Sequence, residues 1–177
     1  MAIRTYKNIT PRLGPRAYVD EAAVVIGDVE IGADASIWPL CTVRGDVNAI
    51  RIGAGSNIQD NSVLHVSHRS KANPEGAPLV IGSRVTVGHG VILHGCKIGD
   101  ECLIGMGSLV MDGAVLQGRV LLGAGSLVPE GSLLESDWLH LGRPARAVRR
   151  LTAAEQDYFG YAAGNYMKLA TEYAAAP

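Results

Sequence analysis

Aliphatic residues recur at every sixth position over most of this chain. The count is interrupted after Val43 and after Leu64, and it slips by one residue after Leu93. A period of six is neither the period of a helix nor the alternation of an amphipathic strand. It is typical of a β-solenoid whose short strands meet at corners. The repeat positions are all Ile, Val or Leu: Val19, Val25, Ile31, Ile37, Val43, Ile52, Ile58, Leu64, Ile81, Val87, Leu93, Ile98, Ile104, Val110, Leu116, Leu122 and Val128.

Small residues and glycines follow these aliphatic positions at fixed offsets. Glycine often comes directly after the aliphatic residue, as at Gly32, Gly53 and Gly82, and a small residue often stands four positions after it. Three such hexads make one triangular turn, so each residue stacks on the one 18 positions later unless an interruption intervenes. The aromatic content of 5% suits the narrow core of such a prism. The pattern predicts an all-β solenoid from about Val19 to about Leu134, preceded by a lead-in over residues 1–18.

The pattern changes after Pro144, where a helix is expected. Thr152 and Glu155 have the spacing of a capping box. The positions that follow form one apolar stripe at helical spacing. We therefore divide the chain into residues 1–150, a β-helix domain with its lead-in and connector, and residues 151–177, an α-helix packed on the prism. The stripe consists of Phe159, Ala162, Tyr166, Leu169 and Tyr173.

Three histidines fall at positions where the stacked coils make metal binding possible. His65 and His94 each follow the aliphatic residue of the same face in successive coils, so they are expected to be neighbours at about 4.8 Å. His89 belongs to a different face and does not easily join them within one molecule. In a threefold assembly, His89 of a neighbour can face the other two. The spacing predicts a three-histidine site at a subunit boundary of a trimer.

Four further features of the sequence form a set: the run Arg44-Gly45-Asp46, residues 57–61, His65, and residues 88–96. Together these motifs resemble the gamma-class carbonic anhydrase family. The resemblance covers nearly the whole chain and is greatest to the bacterial hexapeptide-repeat members. It implies a left-handed parallel β-helix of hexapeptide repeats with a C-terminal α-helix, assembled as a homotrimer.

The resemblance also implies roles for individual residues. His65, His89 and His94 would be metal ligands, and Gln59 would orient the metal-bound water. The family's charged residues tie the subunits together beside the site. Together with Gln59, the implied catalytic set comprises Arg44, Asp46, Asp60, Asn57 and Tyr166.

One departure from the family concerns proton export. Active members carry glutamates that act as a proton shuttle, and the corresponding places here hold Val47 and His68. A mobile histidine with a pKa near 6.5 is able to carry a proton at neutral pH. We therefore add His68 to the candidate catalytic residues.

The chemistry that follows is reversible hydration of carbon dioxide to bicarbonate by a metal-bound hydroxide. Three neutral imidazoles on Zn²⁺ leave an open position and lower the pKa of bound water to about 7. Fe²⁺ or Co²⁺ would accept the same ligands.

Two other classes of function fit the repeat. A hexapeptide acyltransferase would use one histidine as a general base, and a related thioesterase would act on coenzyme A thioesters. A non-catalytic trimeric scaffold would keep the metal for stability. Activity without metal favours the acyltransferase, and trimers without turnover favour the scaffold.

Composition excludes some partners and suggests a compartment. The net charge is −1, so a nucleic-acid partner is not expected. No apolar run approaches a membrane span, and the first residues have no apolar core of a signal peptide. Three cysteines, an odd number without a disulfide pattern, indicate a reducing cytoplasm.

Overall fold

A computed structural model describes residues 2–175, which form a parallel β-solenoid followed by one α-helix. The expected fold class is confirmed. The strands are β1 (Ala2–Arg4), β2 (Arg12–Leu13), β3 (Tyr18–Val19), β4 (Val24–Ile31), β5 (Ser36–Ile37), β6 (Thr42–Ile52), β7 (Asn57–Ile58), β8 (Val63–His65), β9 (Leu79–Ile81), β10 (Thr86–Val87), β11 (Ile92–His94), β12 (Lys97–Ile98), β13 (Leu103–Ile104), β14 (Leu109–Val110), β15 (Val115–Leu116), β16 (Leu121–Leu122), β17 (Leu127–Val128), β18 (Leu133–Leu134), β19 (Trp138–Gly142) and β20 (Ala145–Arg150), and the helix is α1 (Ala153–Ala175).

The strands stack into three faces of a prism. The first face contains β1, the beginnings of β4 and β6, then β8, β11, β14 and β17. The second contains β2, the ends of β4 and β6, then β9, β12, β15 and β18. The third contains β3, β5, β7, β10, β13, β16 and β19. Each strand pairs in parallel with the same face of the next coil.

The hexad positions form the core, as the sequence predicts. Ile31, Ile52 and Ile81 pair in register up the second face. All the predicted repeat positions except Val19 are at most 4% exposed, and Val19 packs against the core from its edge. The aliphatic columns therefore make one continuous interior along the prism axis.

The corners depend on glycine because neighbouring coils approach closely there. A Cβ on Gly53 would lie 2.4 Å from the carbonyl carbon of Gly82 in the next coil. The Ser56 hydroxyl donates to the Gly82 carbonyl oxygen at 2.7 Å and accepts from the Val85 amide at 2.9 Å. Small residues thus give the backbone room, and their hydroxyls satisfy buried polar groups at the turns.

Two segments differ from the expectation of a plain lead-in and a plain connector. β1 and β2 pair in parallel with β4, so the first coil begins before Val19. At the other end, β19 and β20 form an antiparallel hairpin over 138–150. The hairpin places its second strand on the outer edge of the third face, where the parallel stack ends.

The C-terminal helix begins at Ala153, and the expected cap is present. The Thr152 hydroxyl accepts from the Glu155 amide at 3.3 Å, and the Glu155 carboxylate accepts from the Thr152 amide at 2.9 Å. This reciprocal pair satisfies two of the free amides at the start of the helix. Within residues 2–175, no helix has the length and apolar character needed to cross a bilayer.

An aromatic cluster attaches the helix to the third face. The Trp38 ring is buried, and its centroid lies 5.5 Å from Tyr166 and 5.2 Å from Tyr173 of α1. Tyr18 of β3 completes the cluster at 5.5 Å from Trp38. Edge-to-face packing of this kind stabilises an interface beyond simple burial.

We expect Gly164→Ala to raise the free energy of unfolding by about 0.5–1 kcal/mol. A Cβ at Gly164 meets nothing within 4 Å, and alanine loses less backbone entropy in a helix. Gly53→Ala is the matched variant and should lower the free energy of unfolding, because its Cβ would clash with the backbone of the next coil. Urea unfolding at fixed protein concentration measures both. A lowered midpoint for Gly164→Ala would contradict the open surroundings of that helix position.

Candidate metal centre

His65 and His94 form a pair on adjacent coils of the first face. They end β8 and β11 and pair in direct register, which confirms the adjacency expected from the repeat. Nδ1 of His65 lies 3.0 Å from Nε2 of His94. Two nitrogens bound to a tetrahedral zinc with bonds of about 2.0 Å stand about 3.3 Å apart. The pair therefore presents two imidazole nitrogens at nearly the separation of two zinc ligands.

An aspartate holds the far side of the His65 ring. Nε2 of His65 lies 3.1 Å from Oδ1 of Asp46, while Nη1 of Arg44 donates to Oδ2 of the same carboxylate at 2.6 Å. Asp46 and Arg44 lie on β6, one coil below the histidine. Asp46 thus contacts His65 directly within one chain, and Arg44 is linked to the pair through Asp46.

The His94 ring is held in the same way by Asp112, a residue that the sequence analysis did not single out. Oδ1 of Asp112 contacts Nδ1 of His94, and Oδ2 accepts from the Ser67 hydroxyl at 2.5 Å. Leu93 pairs with Val110, so Asp112 lies one position beyond the place opposite His94. Following the histidine column into the next coil would have brought this carboxylate to attention.

Burial keeps the His65 imidazole available for a metal, and the two aspartates beside the pair are ionised. Burial lowers the pKa of His65, and this outweighs the hydrogen bond to Asp46, which raises it. Burial raises the pKa of Asp46 and Asp112, but hydrogen bonds from Arg44 and His65 to Asp46, and from Ser67 and His94 to Asp112, leave both pKa values below the ordinary one. Neutral imidazole beside ionised carboxylate is the state that binds metal.

His89 lies on another face of the prism, just after β10. Its Nδ1 is 2.9 Å from Oδ2 of Asp60, and its side chain is 50% exposed. The contact with Asp60 leaves Nε2 on the opposite side of the ring. In each of the three candidate ligands, one ring nitrogen therefore contacts an aspartate, and the other ring nitrogen is left for a metal.

Two amide side chains beside His89 are fixed by a chain of hydrogen bonds. Nε2 of Gln59 donates to Oδ1 of Asn57 at 3.1 Å, and Nδ2 of Asn57 donates to the Thr86 hydroxyl at 3.0 Å. All three side chains are buried. This series of hydrogen bonds orients the Gln59 amide, which lines a groove together with His89.

This groove, of about 460 Å³, runs along the third face beside α1. Tyr166 lines it together with Gln59 and His89, while its ring packs against Trp38. Burial and the nearby Asp60 raise the pKa of Tyr166, so its phenol stays protonated at neutral pH. The remainder of the lining is mostly apolar and includes Leu103, Met106, Leu121, Tyr158 and Tyr161.

The three histidines do not come together within one chain. Across residues 2–175, no group of three His, Cys, Asp or Glu side chains is placed to hold a metal ion. One chain supplies a pair of nitrogens on its first face and a third nitrogen elsewhere. The donor set fits a three-imidazole site only if a second copy provides His89.

Sequence comparisons identify the relatives of this chain. No protein-family model matches it. It is 50% identical over 171 residues to protein YrdA of Escherichia coli, covering 97% of this chain and 93% of YrdA. It is 44% identical over 176 residues to mitochondrial gamma carbonic anhydrase 3 of Arabidopsis thaliana, covering 97% and 67% of the two chains. The chain belongs to the gamma-carbonic-anhydrase-like family of hexapeptide-repeat proteins.

A further relative supports the family, and two solved structures share the fold. Mitochondrial gamma carbonic anhydrase 1 of Arabidopsis thaliana is 42% identical, and the chain spans 63% of its length. A hexapeptide transferase family protein from Anaplasma phagocytophilum superposes with a TM-score of 0.90 at 41% identity, covering 97% of this chain and 98% of that one. An N-acyltransferase from Bacillus cereus, solved with dTDP and coenzyme A, reaches 0.65 at 16% identity over 92% and 90%, which shows the fold alone.

The two positions that the sequence analysis linked to proton export, Val47 and His68, are both exposed. Val47 follows Asp46 and is exposed. His68 is exposed on the loop that starts three residues after His65, and Ser67 and Ala77 close the base of that loop. The side chain of His68 is therefore open to solvent on this loop.

Proposed function

We propose that this chain forms a homotrimer that catalyses the reversible hydration of carbon dioxide to bicarbonate at metal centres shared between subunits. The observation that carries this proposal is the His65–His94 pair, with nitrogens 3.0 Å apart and an aspartate behind each ring. The membership of a family that includes proteins named gamma carbonic anhydrase supports the choice of reaction.

The proposed ligands are His65 and His94 of one subunit and His89 of the next. Zn²⁺ suits three neutral imidazoles, and Fe²⁺ or Co²⁺ would bind the same set. When bound, such a metal supplies a water that is activated for attack at neutral pH.

The chain's own residues would position the reactants. Asp60 fixes the His89 ring through Nδ1, which leaves Nε2 for the metal. The Gln59 amide, held by Asn57, would hydrogen-bond the attacking water or the substrate oxygen. Arg44 neutralises Asp46 beside the pair, and Tyr166, protonated at neutral pH, would donate to an oxygen at the rim of the site.

We expect His89→Ala to lose bound metal and ¹⁸O exchange between carbon dioxide and water while keeping its fold and trimer. The reason is that two imidazoles remain at each proposed boundary, one fewer than the site needs. Metal per chain is measured after loading with zinc, or with Fe²⁺ under anaerobic conditions. Metal at full stoichiometry in this variant would overturn the shared site.

Mixed trimers provide a sharper version of the same test. His89→Ala keeps the pair, and His94→Ala keeps His89, so a boundary has all three ligands when the first variant supplies the pair and the second supplies His89. After the two variants are unfolded together at equal amounts and refolded, about a quarter of the boundaries should be intact, since each side is chosen independently. Exchange activity that stays absent after mixing contradicts a centre divided between copies.

We expect His68→Ala to lower kcat for hydration about tenfold or more while leaving kcat/KM nearly unchanged. The variant removes the exposed group proposed to carry the released proton, and imidazole buffer should restore the rate. Lys71→Ala on the same loop is the control and should behave as wild type. If imidazole fails to restore the variant, or if kcat is unaffected, His68 is not the proton carrier.

The groove beside α1 favours a second candidate, a hydrolase of coenzyme A thioesters. Carbon dioxide does not need about 460 Å³ of mostly apolar space, whereas an acyl or pantetheine chain would use it. His89 and Gln59 line this groove and connect it to the proposed centre. Metal-loaded protein that releases thiol from acetyl or butyryl coenzyme A, but gives no ¹⁸O exchange, would favour this second reaction.

A further inference from the structure

Asp112 occupies a turn between β14 and β15 where both of its carboxylate oxygens are used. Oδ1 contacts Nδ1 of His94, and Oδ2 accepts from Ser67 at 2.5 Å. The turn is tied to the coil below it, because the Gly113 amide donates to the Gly95 carbonyl oxygen at 2.8 Å. The carboxylate is thus fixed by its backbone as well as by its partners.

Gly95 makes the contact between Asp112 and His94 possible. Gly95 has a φ of +52°, a conformation that favours glycine. A Cβ at this position would lie 2.5 Å from Oδ1 of Asp112 and 2.5 Å from the Ala77 side chain. The glycine that follows His94 therefore leaves the space through which the carboxylate reaches the ring.

The hydrogen bonds determine which nitrogen of His94 carries the proton. The Ser67 hydroxyl has one proton and donates it to Oδ2, and an ionised carboxylate only accepts. Nδ1 of His94 must therefore carry a proton, and in the neutral ring the lone pair is then on Nε2. That lone pair faces His65, where the proposed metal would bind.

Ser67 extends this arrangement to the loop that carries His68. Its amide and carbonyl pair with Ala77 at 3.0 and 3.1 Å, and Nδ2 of Asn48 donates to its carbonyl oxygen at 3.0 Å. One serine thus joins Asp112 to the closed base of the loop. Any shift of this base would move the hydroxyl that holds the carboxylate.

We propose that Asp112, held by Ser67, is a positioning residue that sets the tautomer and orientation of His94 for metal binding. The inference rests on the proposed function in that it takes His94 as a ligand. Its physical basis is general: a carboxylate behind a metal-bound histidine fixes the ring and makes the ligand nitrogen more basic.

The test compares Asp112→Asn, Asp112→Glu and Ser67→Ala with wild type. Asp137→Asn is the matched control, because Asp137 is a similarly exposed aspartate that pairs with Arg119 and lies more than 40 residues along the chain from His65, His89 and His94. Zinc affinity is measured by competition with a chelator, and the visible spectrum of the Co²⁺-loaded protein reports ligand geometry. Long-range ¹H–¹⁵N correlation spectra of metal-free protein report the histidine tautomers.

We expect Asp112→Asn to bind zinc about 10- to 100-fold more weakly, to alter the Co²⁺ spectrum, and to lose the Nδ1-protonated form of His94. Asp112→Glu should recover part of the affinity, Ser67→Ala should cause a smaller loss, and Asp137→Asn should match wild type. Unchanged zinc affinity in Asp112→Asn, or wild-type His94 protonated on Nε2, would overturn the inference.

The spectra of metal-free protein separate this inference from the proposed function. Wild type that binds no metal refutes the proposed reaction, but the tautomer of His94 in that protein still decides what Asp112 does. Wild type that binds metal normally, beside an Asp112→Asn variant with the same tautomer and affinity, leaves the proposed function standing and removes the role of Asp112.

Discussion

The parallel register between successive coils is the constraint on which the rest of this structure depends. Each strand pairs with the same face one coil away, at a spacing of about 4.8 Å. The register places aliphatic residues on aliphatic residues through the core, as in the column of Ile31, Ile52 and Ile81. The same register places His65 on His94 at the surface. One geometric rule therefore builds both the stable interior and the pair of imidazoles.

Carboxylates behind the histidines are the second feature that the coils produce together. An unpaired imidazole at this surface could rotate about its side-chain bonds and present either nitrogen. Asp46, Asp60 and Asp112 remove that freedom at His65, His89 and His94 respectively. Each aspartate comes from a coil next to its histidine, so every hydrogen bond also joins neighbouring coils. Orientation of the rings and cohesion of the prism are thus achieved by the same contacts.

Much of the fold and part of the site follow from the hexad pattern. The pattern predicted the core columns and the pairing of His65 with His94, because the period of six assigns each residue to one face of the prism. It did not reveal β1 or the β19–β20 hairpin, since these segments pair through their backbones without the aliphatic repeat. β2 was also left out, although Leu13 stands six positions before Val19 and pairs with Ile31. Asp112 was missed although it stands 18 positions after His94. The one-residue slip after Leu93 puts Met111 opposite His94, and the turn between β14 and β15 decides that Asp112 still reaches the ring.

The placement of His89 on a separate face links metal binding to assembly under the proposed function. A narrow prism can stack two histidines on adjacent coils, but a third on the same face would lie a further coil away, about 10 Å from the first. A ligand from a neighbouring prism avoids that distance. Metal that binds only at a boundary stabilises the trimer over its separated chains by mass action. The bound metal would then contribute to the stability of the subunit boundary, and each centre would require two correctly folded copies. The core of the solenoid is filled by aliphatic side chains, so under the proposed function the catalytic cavity would lie between two molecules.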